Sequence, residues 1–229
     1  MKRGSENHEG NNIKFFTLAQ RGFVQRVEEG TEGSIARKLE AGANIGNTVH
    51  EMITNQLIGR ILKVEKKVSE NTDFGDNYNI TIDTSVDGNA EKIVLSTKQN
   101  SNPTRNLLKQ LLKADLNKDV KFTHKYEEAA DGYKYGSVNL GVIQEGDDGK
   151  NHFVGYAHTN AAPNGLPAAT TYVDGEGKSR KSYLDQNQFL EDRVNELTFQ
   201  EAPAQEERKS LERFEAVKAE AEDEDDLPF

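Results

Sequence analysis

Residues 77–116 carry the clearest structural pattern in the chain: NYNITIDT (77–84), EKIVLSTK (91–98) and NPTRNLLKQLLKADL (102–116). In the first segment apolar and polar residues alternate, which is the period of a strand with one buried face. Ile93 and Leu95 alternate in the same way in the second segment, and Val86-Asp87-Gly88-Asn89 before it is typical of a turn. The leucines of the third segment recur at helical spacing after Asn102 and Pro103, which predict the start of a helix.

Weaker patterns surround this segment. Thr48–Val68 predicts one long, curved strand in which Gly59 marks a bulge or bend. Ile13–Val27 predicts extended chain around a Gln20-Arg21-Gly22 turn, and Lys181–Leu197 predicts a helix. The other expected elements are strands over Asp119–Tyr126, Tyr133–Ile143 and His152–His158, followed by a long loop over Thr159–Lys178.

From about residue 55 to residue 143 the predicted order is strand, strand, strand, helix, strand, strand. This is the order of an OB-fold, a five-stranded Greek-key barrel with one helix between its third and fourth strands. We therefore predict a mainly β protein built on an OB-fold, with extra hairpins and a C-terminal helix. OB barrels commonly bind oligonucleotides across one face of the sheet.

The composition favours a modest core with solvated extensions. Apolar residues make up 34% of the 229 residues, below the ~45–50% typical of globular chains. Cysteine is absent, which excludes disulfides and cysteine-based metal sites. The chain contains no apolar run long enough to span a membrane and no signal peptide, so we expect a soluble cytoplasmic protein without membrane partners.

Negative charge is concentrated toward the C-terminal end of the chain. Residues 191–229 contain 14 acidic and 5 basic side chains, whereas residues 1–190 contain 25 and 24. The low pI is therefore a property of the tail. A near-neutral body lacks the strong overall positive charge of many nucleic-acid-binding domains, but it is compatible with a local basic surface.

The last nine residues, Ala221–Phe229, combine charge with an apolar tip. Five carboxylates without one base precede Leu227, Pro228 and Phe229. A like-charge run of this density stays solvated and is typical of a tail. Charge that steers a partner, followed by an aromatic side chain and a carboxylate, is typical of a docking peptide.

The ending Asp225-Asp226-Leu227-Pro228-Phe229 resembles the C-terminal tip of single-stranded-DNA-binding proteins, in particular those of bacteriophages. The resemblance implies an OB-fold core that binds and protects single-stranded DNA without strong sequence preference during DNA replication, recombination or repair. It also implies that the tip recruits replication or recombination proteins such as a polymerase, helicase, nuclease or primase. A viral protein of this kind would act in the cytoplasm of a bacterial host.

The chain departs from the cellular bacterial branch of that family. It has no tryptophan for base stacking and no long linker rich in Gly, Gln and Pro before the tip. The tetramer of that branch is therefore not carried over, and a homodimer stays open. The tail could dock partner proteins, and it could also fold back on a basic groove and compete with DNA.

These observations predict three regions. Residues 1–12 form a flexible N-terminus, residues 13–198 form the OB-fold DNA-binding domain with its extensions, and residues 199–229 form an acidic, largely disordered tail with the docking tip. The boundaries follow the shift from apolar patterns to polar and acidic composition.

Binding to a single strand needs aromatic faces for stacking and cations along the backbone. Alternation in Tyr133–Val142 predicts Tyr133 and Tyr135 on the open face of the sheet; the alternative is that both cover a barrel end or support a loop. Outward lysines on three strands predict a basic face, or alternatively only keep the sheet soluble. These lysines are Lys63, Lys67, Lys92, Lys98, Lys121 and Lys125.

The segment Arg21–Arg26 interleaves basic and aromatic residues. In one interpretation Arg21 and Arg26 pair with phosphate and Phe23 stacks on a base. In the other, the segment is a buried N-terminal strand with an arginine near each end. The residues leave both open.

We find no sequence signature of catalysis, metal binding or a cofactor. The five histidines have no recognisable metal-ligand spacing, and no phosphate-binding glycine loop or nucleophile elbow occurs. We therefore expect a non-enzymatic protein. The alternatives to single-strand binding are a protein-interaction or virion-associated OB-like module, which would not prefer single strands, and a strand-annealing recombination protein.

Overall fold

The computed structural model describes residues 13–40, 44–69, 75–84, 91–129, 131, 136–158 and 165–199. All the described elements belong to one compact unit, residues 1–199. The strands are β1 (Ile13–Ala19), β2 (Gly22–Val27), β3 (Ile35–Lys38), β4 (Thr48–Thr54), β5 (Gln56–Lys67), β6 (Asn77–Asp83), β7 (Lys92–Lys98), β8 (Val120–Glu127), β9 (Ser137–Glu145), β10 (Asn151–Phe153), β11 (Thr170–Val173) and β12 (Ser179–Ser182). The helices are α1 (Asn102–Leu111) and α2 (Leu184–Asn195).

The protein is mainly β, as the alternating patterns predicted. Ten strands form one sheet in the order β10-β9-β8-β5-β6-β7-β1-β2-β4-β3, and β11 and β12 form a separate hairpin. Neighbouring strands of the large sheet are antiparallel except β1 and β7, which are parallel. The sheet is therefore mixed and, across the described strands, open.

The predicted order of three strands, a helix and two strands is present as β5, β6, β7, α1, β8 and β9. These five strands are adjacent in the sheet, in the order β9-β8-β5-β6-β7. They do not close into a barrel, because the free edge of β7 pairs with β1 instead of with β9. The N-terminal segment thus satisfies the backbone groups that an edge strand would leave unpaired.

Gly59 lies where β5 changes its partner. Residues 56–59 pair with β8, and residues 60–67 pair with β6. Gly59 has φ +152°, and a Cβ there would lie 2.2 Å from the backbone oxygen of Asp83. Only glycine tolerates this combination, so Gly59 lets one strand pair with both halves of the sheet, whereas the register irregularity of β5 lies between Ile61 and Lys63.

Several element boundaries differ from the sequence-based expectation; the predicted helix over Lys181–Leu197, for example, begins at Leu184, and Lys181 and Ser182 belong to β12. Thr48–Val68 is two strands, β4 and β5, separated at Asn55. The expected loop over Thr159–Lys178 contains β11, whose residues are exposed and so show no apolar alternation. The side chain of Ser101 caps α1 by accepting a hydrogen bond from the amide of Thr104, one residue earlier than the predicted Asn102 cap.

The core lies on one side of the large sheet, which we call the inner face. It contains the alternating Tyr78, Ile80 and Ile82 of β6 together with Leu95 of β7, all nearly inaccessible to solvent. Each fully buried aliphatic side chain of this kind contributes about 1.5–3 kcal/mol. Leucines of both helices complete the core: Leu107, Leu108, Leu111 and Leu190.

Side-chain hydrogen bonds hold both helices on the sheet. Gln110 of α1 donates to the carbonyl of Leu140 at 3.2 Å and accepts from the amide of Val142. On α2, Glu191 pairs with Lys66 of β5 at 3.0 Å. Neither helix in the described part of the chain is long and apolar enough to cross a membrane.

Candidate functional site

The opposite side of β5, β6, β7 and β1 is polar, and we call it the outer face. Cross-strand partners project from the same side of a sheet, so the strand registers identify its members. These are Ile13, Phe15, Thr17, Arg60, Lys63, Glu65, Lys67, Asn77, Asn79, Thr81, Asp83, Lys92, Val94, Ser96 and Lys98.

Lysines from two strands lie in one cross-strand row of the outer face. Lys67 is opposite Asn77, and Asn77 is opposite Lys98. Two strand spacings separate the lysines, about 10 Å at the backbone. Both side chains are exposed, so the row presents two cations with a neutral amide between them.

A second row adds an aromatic ring. It runs across four strands: Lys63, Thr81, Val94 and Phe15. The side chain of Phe15 is 62% exposed, whereas its neighbour Phe16 faces the core. The outer face therefore combines an accessible aromatic ring with cations. A flexible polyanion that carries aromatic rings is bound by these two components, because its rings stack on the side chain and its charges contact the cations.

Sequence reasoning did not select Phe15 as a binding residue. A signal was present, however, in the pair Phe15-Phe16 within a strand. Successive side chains of a strand point to opposite faces, so one of two adjacent aromatics must leave the core side. The burial of Phe16 identifies Phe15 as the outward one.

Acidic neighbours partly neutralise the outer face. Glu65 contacts the ammonium of Lys63 at 2.7 Å and that of Lys67 at 3.4 Å. The pKa of Glu65 lies below its usual range, chiefly because Lys63 donates a hydrogen bond to it. Exposed pairs of this type contribute about 0–1 kcal/mol, so a phosphate can compete for these lysines at little cost.

Lys92 also lies on the outer face, in the row beside that of Lys63 and Phe15, where it is half-buried and opposite Asp83. The two remaining predicted lysines, Lys121 and Lys125, project from β8, and Lys125 pairs with Glu127 at 3.0 Å. The structure thus brings the lysines of β5 and β7 together on the face of Phe15, and places the lysines of β8 on the adjoining half of the same side.

Phe23 does not fit the proposed stacking role. Its side chain is 0% exposed and packs edge-on against His124, with 6.1 Å between ring centroids. A base cannot reach a ring that the core covers on all sides. The observed arrangement is the alternative that the sequence left open, a buried N-terminal strand.

Arg21 has a structural partner. It donates a hydrogen bond to Glu51, which also receives Arg37 at 2.8 Å. Glu51 is only 2% exposed, and its pKa is lowered first by the hydrogen bond from Arg37 and then by the charge of Arg21. Arg26 is exposed and opposite Glu51 on β4, so it is available to a ligand.

Two sets of predicted residues lie outside the described ranges. They are the stacking candidates Tyr133 and Tyr135 and the docking tip, Asp225, Asp226, Leu227, Pro228 and Phe229. Their roles stay predictions. Within the described ranges, no group of three His, Asp or Glu side chains is arranged to hold a metal ion.

Comparisons with protein-family models, with curated proteins and with solved structures find no significant match to this chain. The geometry of the outer face and the sequence of the tail are therefore the features of this chain that indicate a function.

Proposed function

We propose that this protein binds single-stranded DNA across the outer face without strong sequence preference. The observation that carries the proposal is the exposed ring of Phe15 in a cross-strand row with Lys63, on the same face of the sheet as the row of Lys67 and Lys98. Stacking on an aromatic ring contributes about 1–3 kcal/mol per base and tolerates any base. The lysines supply sequence-independent contacts to phosphate.

The strand order supports an OB-like assignment of the body. OB-folds are partly open barrels, and they bind oligonucleotides on the face of their second and third strands and with the loops after strands one and four. In this chain β5 to β9 take the places of the five strands, with α1 after the third. The outer face of β6 and β7 then corresponds to the binding face. In the sequence, Tyr133 and Tyr135 lie between β8 and β9.

The tail supplies the second half of the proposal. Asp225–Phe229 recruits proteins of DNA replication, recombination or repair, with Phe229 filling a pocket and the acidic run steering the encounter. A bacteriophage origin agrees with the resemblance of this tip. The support is the sequence of the tip alone.

The first experiment is fluorescence anisotropy with a labelled oligo-dT and a duplex of equal length, at two salt concentrations. We expect tight binding to the single strand that weakens as salt rises, and much weaker binding to the duplex. Phe15→Leu should weaken single-strand binding by about 1–3 kcal/mol, because leucine keeps the apolar volume but lacks the ring face.

Tyr172→Leu is the matched control, since Tyr172 is an exposed aromatic on the separate β11–β12 hairpin. Wild-type protein that binds neither strand at low salt would contradict the proposal. Equal affinity for single strand and duplex would instead favour a protein-interaction module. Accelerated annealing of complementary strands would indicate the recombination alternative.

A further inference from the structure

A cleft of about 340 Å³ opens at the β9–β10 end of the large sheet. Its walls include Phe153 of β10 and Tyr156, and Gly141 of β9 lies among its lining residues. The volume falls in the range of small-ligand sites, which are mostly apolar with a few polar groups. The lining of this cleft is likewise mostly apolar with a few polar groups.

The two aromatic rings of the cleft are accessible. The side chain of Phe153 is 73% exposed and that of Tyr156 is 43% exposed. A Cβ at Gly141 would lie 2.9 Å from a ring carbon of Phe153 and 2.7 Å from the hydroxyl oxygen of Thr123. The glycine thus lets the Phe153 ring lie against the strand, although most of the ring surface still faces solvent.

The aromatic segment is held in place by backbone hydrogen bonds. The amide of Val154 donates to the carbonyl of Val142 at 2.8 Å, which extends the pairing with β9. The amide of Ala157 donates to the carbonyl of Lys109 on α1 at 3.0 Å. The segment that carries Tyr156 is therefore tied at both ends, so binding would cost little ordering entropy.

Two cations beside the cleft have no acidic partner in the part of the chain that the structure describes. The ammonium of Lys109 lies 5.5 Å from the centre of the Tyr156 ring, and that of Lys113 lies 3.4 Å from the Cβ position of Gly155. The pKa of Lys109 is lowered by burial and then by the charge of Arg105. Lys125, which also lines the cleft, differs from these two lysines because its ammonium is paired with Glu127 at 3.0 Å.

We propose that this cleft binds a base of single-stranded nucleic acid, which stacks on Phe153 and Tyr156 while Lys109 and Lys113 contact its phosphates. The cleft lies on the side of the sheet that carries the outer face. Cross-strand partners connect Phe153 to β5 through Ile143, Lys121 and Ile58. The inference rests on the proposed function, and it extends the path of the strand from β6 and β7 to β10.

The test uses the full chain with oligo-dT and with oligo-U of equal length. Phe153→Leu and Tyr156→Leu should each weaken binding roughly 5- to 150-fold, because the apolar cover is kept and the stacking surface is lost. Tyr172→Leu should bind like the wild type. Lys109→Gln should reduce the slope of log affinity against log salt by about one. Photo-crosslinking with 5-iododeoxyuridine in the oligo-dT, read by mass spectrometry, should label Phe153 or Tyr156.

The outcomes separate the cleft from the outer face. If the wild type binds oligo-dT and Phe15→Leu weakens binding, but both cleft variants bind normally and no label reaches residues 153–156, the cleft assignment is wrong and the proposed function stands. A wild type that binds no single strand overturns both. If the cleft variants lose equal affinity for oligo-dT and oligo-U, the cleft recognises the base and phosphate that the two polymers share. If they lose affinity for only one polymer, that polymer is the ligand of the cleft. A peptide of residues 221–229 that occupies the cleft in preference to oligo-dT would overturn the inference in favour of the tail.

Discussion

The two faces of β6 and β7 differ in what they contribute to the protein. On the inner face, Tyr78, Ile80 and Leu95 are buried in the core. On the outer face, Asn79 of β6 and Ser96 of β7 are cross-strand neighbours, and the lysines of this face lie on β5 and β7. The same two strands thus carry core residues on one side and, in the proposed function, DNA-binding groups on the other. Substitutions on the outer face should therefore alter binding without unfolding the core.

The energies of the two faces support this division. Replacing a buried aliphatic side chain removes transfer free energy and leaves a cavity, whereas most exposed substitutions change stability by less than about 0.5 kcal/mol. In the proposed function, affinity follows the opposite pattern, because single-stranded DNA contacts only the outer side of the sheet. Substitutions on the two faces should therefore separate cleanly in paired measurements of stability and affinity.

The largest expected effect is that of Ile80→Ala on the inner face. Ile80 is fully buried, and its truncation should lower the free energy of unfolding by about 2–5 kcal/mol. Thr81→Ala, the adjacent change on the outer face, should lower it by less than about 0.5 kcal/mol. Chemical denaturation of both variants measures the difference. Similar losses for the two would mean that β6 is not divided into a buried and an open side.

Glu51 extends the comparison, because it is a buried charged side chain on β4 of the same sheet. Glu51→Gln should lower the free energy of unfolding by about 1–3 kcal/mol at neutral pH, since Arg21 and Arg37 lose a charged acceptor. The pKa of Glu51 is lower in the folded protein than its ordinary value of 4.5. Its contribution is therefore fully present above that ordinary value and is lost as the pH falls through the folded-state pKa.

Denaturation of the wild type and Glu51→Gln across acidic pH measures this contribution. The difference between them should shrink as the solution is acidified. Glu65→Gln is the matched control, because the pKa of Glu65 is also lowered but its lysine partners are exposed. A gap between wild type and Glu51→Gln that is constant from neutral to strongly acidic pH would contradict the assignment.

The smallest effect on stability is expected for Lys98→Gln. Lys98 is exposed at the end of β7, so its replacement should leave unfolding unchanged within about 0.5 kcal/mol. If Lys98 contacts a phosphate, the slope of log affinity against log salt should fall by about one. Lys178→Gln, in the turn of the β11–β12 hairpin, provides the comparison. An unchanged slope for Lys98→Gln would remove this lysine from the interface.

Much of the fold was predictable from local patterns. The alternation in residues 77–98 predicted β6 and β7 with the correct inner faces, and the leucines of residues 102–116 predicted α1. Gly59 marked a special backbone position in β5, and the structure has a positive φ and a change of partner strand there. The hairpin of β11 and β12 was missed, since a strand exposed on both faces has no period to detect.

The candidate site was less predictable. Lysines that point outward can be inferred strand by strand, but which of them share a row depends on register. Phe15 and Phe23 looked equivalent as apolar residues of the N-terminal segment. The structure exposes the ring of Phe15 on the outer face and covers that of Phe23 with the core and His124.

Local patterns in the chain specify the period, order and inner side of the central elements, because alternation and helical spacing reflect the geometry of a few consecutive residues. Long-range contacts specify the rest: the pairing of β7 with β1, the open sheet, the exposure of Phe15 and the cleft beside Phe153. These features depend on which distant segment pairs with an open strand edge, or covers a side chain, in the arrangement of lowest free energy. That competition involves residues far apart in the chain, and no local pattern records its outcome.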